Sequence, residues 1–360
     1  MKTAAVLAYA ALAITAASAV DIPVEHIQQF VLGKASIAKE LAQWKDSVAG
    51  QVAKKNGYYK EEQPVDAVLN DNHLKRFFLT KLSIAEAEKA NPEATFSINT
   101  PFTLMTDEEF AQYVKRSSAT VDGLNALAAA NITTVTIDQP QDNSRKLATT
   151  LDWTTSGCVA GVKDQGQCGS CWAFSSVGAL ESANCLKTGA LELFSDQQVT
   201  SCDPKSGGCN GGATSYALQY VKSKGSICTA DSYPYTSGDG TTGTCNTSSC
   251  TAKTLSISSI TSVSGTEAAL ISAIAKQPVA VAVAAGNNAW KQYSGGVLSS
   301  CETTDLDHAV LAVGYDTTSF KLKNQWGTWW GDGGYIKLKR NGANSACSVV
   351  NPYSVYPNIA

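Results

Sequence analysis

The stretch Gln165–Ser176 reads QGQCGSCWAFSS and places two cysteines three positions apart, with a tryptophan directly after the second. Two cysteines at this spacing can bind a metal, form a redox pair, enter structural disulfides or supply a nucleophile. The rest of the chain decides between these chemistries, because each one needs partners of a different kind.

The composition of the 360-residue chain is that of a globular protein, with 44% hydrophobic and 16% charged residues. This length suffices for two or three folding units, each with its own core. The net charge is −3 and no long run of one sign occurs. We therefore expect neither nucleic acid nor an anionic membrane surface as a partner.

Residues 1–19 have the features of a secretory signal peptide. Lys2 precedes a short apolar run, and Ala17-Ser18-Ala19 gives the small-x-small pattern of a cleavage site. No later segment has the ~18 consecutive apolar residues that a transmembrane helix needs. We expect the remaining chain to be secreted or to enter a lysosomal or vacuolar lumen, where disulfides are stable.

The composition changes near residue 147, where we place a domain boundary. Residues 20–147 are rich in Ala, Lys, Glu and Gln, and the segments 36–49 and 74–90 have helical spacing of apolar residues. Thr106 before three acidic residues predicts the N-cap of a further helix. This half ends in a polar, proline-containing stretch that includes Arg145-Lys146, which is typical of an exposed and cleavable linker.

The half from residue 148 to residue 360 has a different character. It contains all 11 cysteines of the chain. The runs HAVLAVGYD (308–316), SFKLKN (319–324) and YIKLKR (335–340) alternate in polarity and predict strands. A helix is predicted after Ser170, with Phe174, Val177 and Leu180 along one face.

Metal and redox chemistry both fit the cysteine pattern poorly. A zinc site would need two more ligands at close spacing, but Cys202 and Cys209 are too far apart and no histidine lies near them. A thioredoxin-like pair of Cys168 and Cys171 lacks the strand–helix–strand context, and other cysteines would compete for oxidation.

A nucleophile needs a thiolate, a base and an orienting group. Cys171 follows the predicted N-cap of a helix, and a helix N-terminus favours a negative charge. The chain has three histidines, and His26 and His73 lie in the half that we expect to be removed. If the processed chain has a cysteine–histidine pair, His308 must therefore be its second member, although a single histidine is more often a packed structural residue.

Four segments, in this order, resemble the signature blocks of the papain family of cysteine peptidases. They are QGQCGSCWAFS (165–175), GCNGG (208–212), DHAVLAVGYD (307–316) and KNQWGTWWGDGGYIKLKR (323–340). The Cys-Gly-Ser-Cys-Trp signature, with histidine and asparagine well downstream, is typical of this family. The resemblance is to cathepsin-L-like members and covers the chain from Asp152 to its C-terminus.

The resemblance implies an α+β fold of the papain-like, two-lobe type. A helical left lobe would be built on the Cys171 helix, and an antiparallel β-barrel-like right lobe would carry His308 and Asn324. A mainly helical inhibitory propeptide (20–147) would precede the peptidase domain (148–360), and the site would lie in the cleft between the lobes.

The resemblance also implies the roles of the catalytic residues. Cys171 would be the nucleophile, as a thiolate paired with protonated His308, and Asn324 would orient the imidazole. Trp326 would cover the bond between His308 and Asn324, and Gln165 would supply an oxyanion donor together with the backbone N–H of Cys171. No metal or other cofactor is implied.

Ten cysteines are structural in this interpretation. The resemblance implies the bridges Cys168–Cys209, Cys202–Cys245 and Cys301–Cys347. With Cys171 kept free, sequence proximity suggests Cys158–Cys185 and Cys228–Cys250.

The substrate-binding residues follow from the same resemblance. Gly211 and Gly212 would bind an extended peptide backbone. The pocket for the side chain two residues before the cut, P2, would be uncharged near its walls, which favours Leu, Val or Phe. It would be lined by Ala213, Thr214, Ala282, Leu306 and Ala309, with Pro352 near the base. Asp307 and Trp326 are further expected substrate-binding residues. No further histidine follows residue 73 except His308, so a carboxylate-binding loop for dipeptide trimming is absent and an endopeptidase is expected.

The chain departs from the family pattern at several positions. Arg76-Phe77 and Asn91 fit the propeptide signature, but Thr80, Ser83 and Ala87 do not, and Leu104 stands where the family prefers aspartate. Gln325 replaces the usual serine after Asn324, and we expect this change to be tolerated beside the site and to tune activity.

Two sequons, at Asn131 and Asn246, predict glycosylation. The expected partners are peptide and protein substrates, the chain's own propeptide and cystatin-like inhibitors, and the mature enzyme is expected to be a monomer. Two other functions stay open at this point: a catalytically silent binding protein on the same fold, and a thiol–disulfide oxidoreductase that uses Cys168 and Cys171.

Overall fold

A computed structural model describes residues 20–60, 67–116, 133–135, 148–343 and 345–360. The expected signal peptide, the basic pair Arg145-Lys146 and the sequon at Asn131 lie outside these residues. Within the described ranges, none of the helices is long and apolar enough to cross a bilayer.

The N-terminal unit, residues 20–116, is mainly helical. It contains α1 (Ile27–Asp46), α2 (Val48–Lys55), α3 (Ala67–Ala90), the short strand β1 (Ala94–Phe96) and α4 (Asp107–Lys115). The periodicity predicts one helix over 36–49, but the chain breaks at Ser47, whose hydroxyl accepts a hydrogen bond from the backbone N–H of Gly50 and caps α2. The predicted cap of α4 is confirmed, since Thr106 and Glu109 form a capping box.

The left lobe is built around α5 (Cys171–Thr188), with α6 (Asp196–Cys202) and α7 (Thr214–Lys224) beside it. A small antiparallel pair, β4 (Ser226–Cys228) and β5 (Ala252–Thr254), closes this lobe. Helix α5 is buried on almost every side rather than along a single stripe, because helices of the left lobe and strands of the right lobe both pack on it. It ends at Gly189, which has a φ of 79°.

The right lobe is built on a sheet with the strand order β1-β8-β11-β10-β9-β7-β12-β6-β2, where β2 is Thr133–Val135, and β3 pairs with β9 at its side. Most pairs are antiparallel, and β8–β11 and β2–β6 are parallel. The strands of this lobe are β3 (Leu151–Asp152), β6 (Ile257–Val263), β7 (Val279–Val283), β8 (Tyr293–Leu298), β9 (His308–Tyr315), β10 (Ser319–Lys323), β11 (Tyr335–Lys339) and β12 (Val355–Ile359), with the helices α8 (Glu267–Ile274) and α9 (Asn288–Gln292).

The three runs that predict strands are β9, β10 and β11. The alternating pattern suggests that one face of β9 is exposed, but all of its residues are buried. Helix α5 covers one side of the strand, and its neighbours β7 and β10 cover its edges. The catalytic candidate His308 therefore begins a strand that is fixed on every side.

The N-terminal unit contributes to the core of the right lobe. Its strand β1 pairs with β8, and β2 (Thr133–Val135), which follows this unit in the chain, pairs with β6. Apolar residues of both parts form one cluster, which includes Phe77, Phe102 and Phe110 from the N-terminal unit and Trp290 and Trp326 from the right lobe. This shared cluster fixes the N-terminal unit on the side of the cleft that carries Trp326.

A buried ionic cluster holds the segment before Cys168 against the left lobe. The ammonium of Lys163 lies 2.9 Å from the Glu181 carboxylate on α5 and 2.7 Å from the Asp196 carboxylate on α6. Burial raises the pKa of Asp196 to about 6. The backbone carbonyl of Lys163 also accepts from the N–H of Gly327, so this segment contacts both lobes.

Candidate active site

Cys171 is the first residue of α5, and its sulfur is buried and outside every disulfide. Ser170 occupies the N-cap position as predicted, but its side chain does not cap the helix. The Ser170 hydroxyl instead lies 2.8 Å from the hydroxyl of Tyr235. The sulfur therefore lies at the helix N-terminus, where the partial positive charge of the helix favours a thiolate.

Strand β9 supplies a backbone donor to this sulfur. His308 and Ala309 are its first residues, and the backbone N–H of Ala309 donates to the Sγ of Cys171 over 3.3 Å. This contact could not be predicted from the sequence, because the backbone N–H of almost any residue can donate a hydrogen bond. This N–H, together with the helix N-terminus, stabilises a negative charge on the sulfur.

The orientation of Asn324 fixes the tautomer of His308. The Oδ1 of Asn324 accepts from the backbone N–H of Gln325 over 2.9 Å, so this atom is the amide oxygen. The same oxygen lies 2.9 Å from Nε2 of His308, which must then carry a hydrogen. In the neutral ring, Nδ1 therefore keeps its lone pair and can accept a proton.

His308 is neutral over most of the pH range in this buried form. Burial lowers the pKa of His308 to about 4, and the hydrogen bond to Asn324 opposes this shift only in part. The Trp326 ring stacks on the imidazole, with the ring centroids 4.7 Å apart. Burial disfavours the charged ring because it would lose its hydration.

Gln165 is buried and contacts Gln325, the neighbour of Asn324. Its backbone N–H donates to the carbonyl of Gln325 over 2.9 Å, and its side-chain nitrogen donates to the carbonyl of Cys168 over 2.7 Å. The side-chain oxygen accepts from the amide of Gln325 over 3.1 Å. An amide nitrogen carries two hydrogens, so the bond to Cys168 uses one of them.

Two glycines precede α7, and a different structural reason favours glycine at each position. Gly211 has a φ of 99°, which side-chain-bearing residues rarely adopt. A Cβ on Gly212 would overlap the ring of Trp172. Ala213, next in the chain, is buried, whereas Thr214 begins α7 and is half-buried.

The residues expected around the P2 pocket on the right lobe come from β7, β9 and the C-terminal segment. Ala282 and Ala309 face each other in the β7–β9 register, and Leu306 is half-buried just before β9. Pro352 is exposed and lies beside Gly265, while the side chain of Asn351 donates to the Ala282 carbonyl. Asn351 thus contacts β7, whereas Pro352 lies beside Gly265.

Asp307 is engaged by the backbone. Its carboxylate accepts from the N–H groups of Ala285 and Gly286 over 2.7 and 3.0 Å, and burial raises its pKa to about 6. The carboxylate therefore connects the loop that contains Ala285 and Gly286 to the start of β9.

The N-terminal unit covers the side of the site formed by Trp326. The rings of Phe102, Phe110 and Tyr113 pack against the Trp326 indole, with centroids 5.2, 5.6 and 6.2 Å away. The hydroxyls of Tyr58 and Tyr113 also lie 3.3 and 2.9 Å from the carbonyl of Gly166, next to Gln165. This aromatic cluster was not predicted from the sequence, because its members are far apart in the chain.

Polar contacts fix the N-terminal unit further from the site. The ammonium of Lys291, which is 1% exposed, lies 2.6 Å from the Asp107 carboxylate and 2.8 Å from the Met105 carbonyl. The Asn91 side chain accepts from the backbone N–H groups of Ser299 and Ser300. These contacts join the N-terminal unit to helix α9, which precedes β8, and to the loop that follows β8.

Several residues of the N-terminal unit that depart from the family pattern are buried in its interior. Arg76 is buried, binds the Glu109 carboxylate with both terminal nitrogens and donates to the carbonyl of Leu104. The Leu104 side chain is buried, as are Thr80 and Ala87. An apolar residue at position 104 thus packs where the family pattern would place a carboxylate.

Five disulfides occur in the peptidase half. They join Cys158–Cys185, Cys168–Cys209, Cys202–Cys245, Cys228–Cys250 and Cys301–Cys347. Because Cys168 is bonded to Cys209, it does not form a redox pair with Cys171. Within the described ranges no cluster of three or more potential metal ligands occurs. The sequon residue Asn246 is exposed beside Cys245.

Comparison with known proteins identifies the same family for the sequence and for its relatives. A family model described as papain family cysteine protease matches residues 147–357. A cathepsin L-like peptidase of Aedes aegypti is 40% identical over 265 residues, which are 69% of this chain and 75% of that protein. A KDEL-tailed cysteine endopeptidase of Arabidopsis thaliana is 42% identical over 205 residues, 55% of this chain and 56% of that protein. The match thus spans about half the length of the plant relative.

Solved structures extend the similarity to the N-terminal unit. The proform of the ragweed pollen allergen Amb a 11, a cysteine protease, superposes with a TM-score of 0.76 at 29% identity, covering 92% of this chain and 98% of that one. The digestive procathepsin L 3 of Tenebrio molitor larval midgut gives a TM-score of 0.71 at 30% identity, covering 89% and 98%. A Carica candamarcensis cysteine protease in complex with E-64 matches 58% of this chain and 98% of its own, at 42% identity and a TM-score of 0.55.

Proposed function

Because the chain belongs to the papain family of cysteine proteases, we propose that it is a cysteine endopeptidase that is made as a zymogen. Two observations carry this proposal: the surroundings of the Cys171 sulfur and the orientation of His308. Cys171 begins a helix, the N–H of Ala309 faces its sulfur, and Asn324 holds His308 in the tautomer whose Nδ1 is a base.

The reaction uses these groups in a fixed order. Nδ1 of His308 takes the thiol proton, and the sulfur attacks the carbonyl carbon of the peptide bond. The carbonyl oxygen becomes an oxyanion, which accepts from the side-chain nitrogen of Gln165 and from the backbone N–H of Cys171. The carbon–nitrogen bond then breaks, and the imidazolium gives its proton to the leaving amine.

The thioester that remains is hydrolysed through the same imidazole. Nδ1 takes a proton from water as the hydroxide attacks the carbonyl carbon, and the carbon–sulfur bond breaks with return of the proton to the sulfur. Both halves of the reaction need a charged imidazole as an intermediate. The enclosed site disfavours this charge, so removal of the N-terminal unit, which lets water reach the ring, is part of activation.

The N-terminal unit acts as the inhibitory propeptide, which extends over about residues 20–147. The aromatic packing of Phe102, Phe110 and Tyr113 on Trp326 and the contacts to Gly166 support this role. The related proforms in which the same region is present support it as well. Residues 1–19 act as a signal peptide, and the peptidase domain begins near residue 148.

The enzyme cleaves within chains and prefers Leu, Val or Phe at P2. The small uncharged side chains of Ala213, Ala282 and Ala309 support this preference, and the Asp307 carboxylate is taken by two backbone N–H groups. Gly211 and Gly212 bind the extended substrate backbone, and Thr214 and Leu306 border the pocket.

The site of action is an oxidising compartment, either outside the cell or in a lysosomal or vacuolar lumen. The five disulfides support this, and the exposed Asn246 is a glycosylation site there. Cystatin-like proteins inhibit the mature enzyme, which is a monomer.

Labelling with an epoxide thiol inhibitor of the E-64 type tests this function. The processed protein should take up one inhibitor per chain, mapped by mass spectrometry to Cys171, and should lose peptide hydrolysis in proportion. Absence of label would indicate a silent protein on this fold. A protein that reduces insulin disulfides without cutting peptides would indicate an oxidoreductase.

A further inference from the structure

Gln325 lies among the groups that perform the proposed reaction. Its side chain is buried, and its amide nitrogen lies 3.1 Å from Oε1 of Gln165 and 2.9 Å from the carbonyl oxygen of Ala309. We propose that Gln325 is a positioning residue, whose amide sets the orientation of the Gln165 side chain and so keeps the oxyanion donor aimed at the scissile carbonyl. This inference rests on the proposed peptidase function.

The partners of Gln325 define which end of its amide is the nitrogen. Both the Gln165 side-chain oxygen and the Ala309 carbonyl accept hydrogen bonds, so the atom between them donates. Its two hydrogens are used by these two acceptors. The nitrogen also lies 3.2 Å from Nε2 of His308, but that atom carries the hydrogen donated to Asn324, so this third contact is not a hydrogen bond.

Gln165 is held at both ends of its amide. Its oxygen accepts from Gln325, and its nitrogen donates to the Cys168 carbonyl over 2.7 Å. A rotation of the amide by 180° would bring two nitrogens together at Gln325 and two oxygens together at Cys168. The donor of Gln325 therefore excludes the orientation in which an oxygen would face the developing oxyanion.

The second bond of Gln325 connects this donor to the nucleophile. Ala309 accepts from Gln325 through its carbonyl and donates to the Cys171 sulfur through its N–H. The backbone pair between Gln165 N–H and Gln325 carbonyl remains when the side chain of Gln325 is changed. A substitution at position 325 thus removes the side-chain donor while this backbone contact stays in place.

The test compares the processed wild-type enzyme with Gln325→Ala, Gln325→Met, Gln165→Ala and the double variant Gln165→Ala/Gln325→Ala. The methionine variant keeps the volume of the side chain without its donor. For each protein, kcat and KM are measured on a Leu-Arg fluorogenic peptide. The rate of Cys171 alkylation by iodoacetamide is measured in parallel, because this reaction uses the thiolate but develops no oxyanion at Gln165.

Both single variants at position 325 should lose about tenfold in kcat with little change in KM. Gln165→Ala should lose about a hundredfold or more, and the double variant should lose no more than Gln165→Ala alone, because Gln325 acts through Gln165. Alkylation rates should stay within about twofold of wild type. This separation distinguishes a positioning role from general disruption of the site.

Three results would overturn the inference: unchanged kcat in both position-325 variants, multiplicative losses in the double variant, or alkylation that falls in step with kcat. An inactive or unlabelled wild-type enzyme would refute the proposed function itself. An active wild type with unaffected variants would refute only the role of Gln325.

Discussion

The buried ammonium of Lys291 lies 2.6 Å from the carboxylate of Asp107, which is half exposed to solvent. This pair joins the peptidase half to the N-terminal unit. Burial lowers the pKa of Lys291, and the charge of Asp107 opposes that shift. We therefore expect this pair to favour the closed state of the zymogen.

Asp107→Asn should open the zymogen more often. The substitution leaves the buried lysine with the Met105 carbonyl but without its counter-charge, which should favour the open form about tenfold. The rate at which the epoxide inhibitor labels Cys171 in the unprocessed protein reports this opening. Glu108→Gln is the matched control, because it removes the same charge from the adjacent exposed position.

A labelling rate in Asp107→Asn equal to that of the wild type would show that the pair does not hold the zymogen closed. A uniform rise in both would point to the overall charge of α4 instead.

His308 should titrate at about pH 4 in the zymogen, because burial disfavours the imidazolium. The sign follows from the lowered pKa: the folded zymogen binds fewer protons at His308 than the unfolded chain does between about pH 4 and the ordinary value near 6.5. The contribution of His308 to stability therefore decreases as the pH falls through this window. An NMR titration of ring-labelled zymogen, assigned with a His73→Phe variant, gives the value directly. A midpoint near 6.5 for His308 would contradict the enclosed site.

Lys163→Met should destabilise the protein by about 3 kcal/mol. It leaves the Glu181 and Asp196 carboxylates buried without their shared counter-charge. The free energy of unfolding in urea measures the loss. Lys253→Met is the control, since the bridge from Lys253 to Glu192 is exposed and should contribute less than about 1 kcal/mol. Similar losses in both variants would show that the buried cluster has no special role.

The enzyme should cleave Leu-Arg fluorogenic dipeptides at least about tenfold better than Arg-Arg dipeptides, measured as kcat/KM. A guanidinium in a pocket of alanines would lose its hydration without gaining a carboxylate partner. Equal or better turnover of the Arg-Arg substrate would require an acidic group in the pocket and would refute the proposed P2 preference.

The sequence allowed the two-lobe fold to be predicted from its motifs, and it singled out Cys171 and His308 from their spacing and the scarcity of histidine. Contacts between residues far apart in the chain could not be predicted, because many polar residue types can make them. The pair Lys291–Asp107 and the tyrosine hydroxyls at Gly166 are of this kind. The hydroxyl of Ser170 was expected to cap α5, but Tyr235, distant in the chain, binds it instead.

Position 325 shows the same limit on a smaller scale. The sequence revealed glutamine where the family usually has serine, and it suggested a tolerated change. Only the fold brings its amide to Gln165 and Ala309 at once. A substitution that looks neutral in a motif can thus acquire a role from the strands and loops that enclose it.

The most direct test of the proposed mechanism is peptide hydrolysis by Cys171→Ala. The variant zymogen should be processed by immobilised wild-type enzyme, freed of it, and compared with processed wild type on the Leu-Arg substrate. We predict that kcat/KM falls to the background of the assay while the variant keeps its five disulfides and its thermal stability. Hydrolysis at the wild-type rate by this variant would contradict the role of Cys171 as the nucleophile.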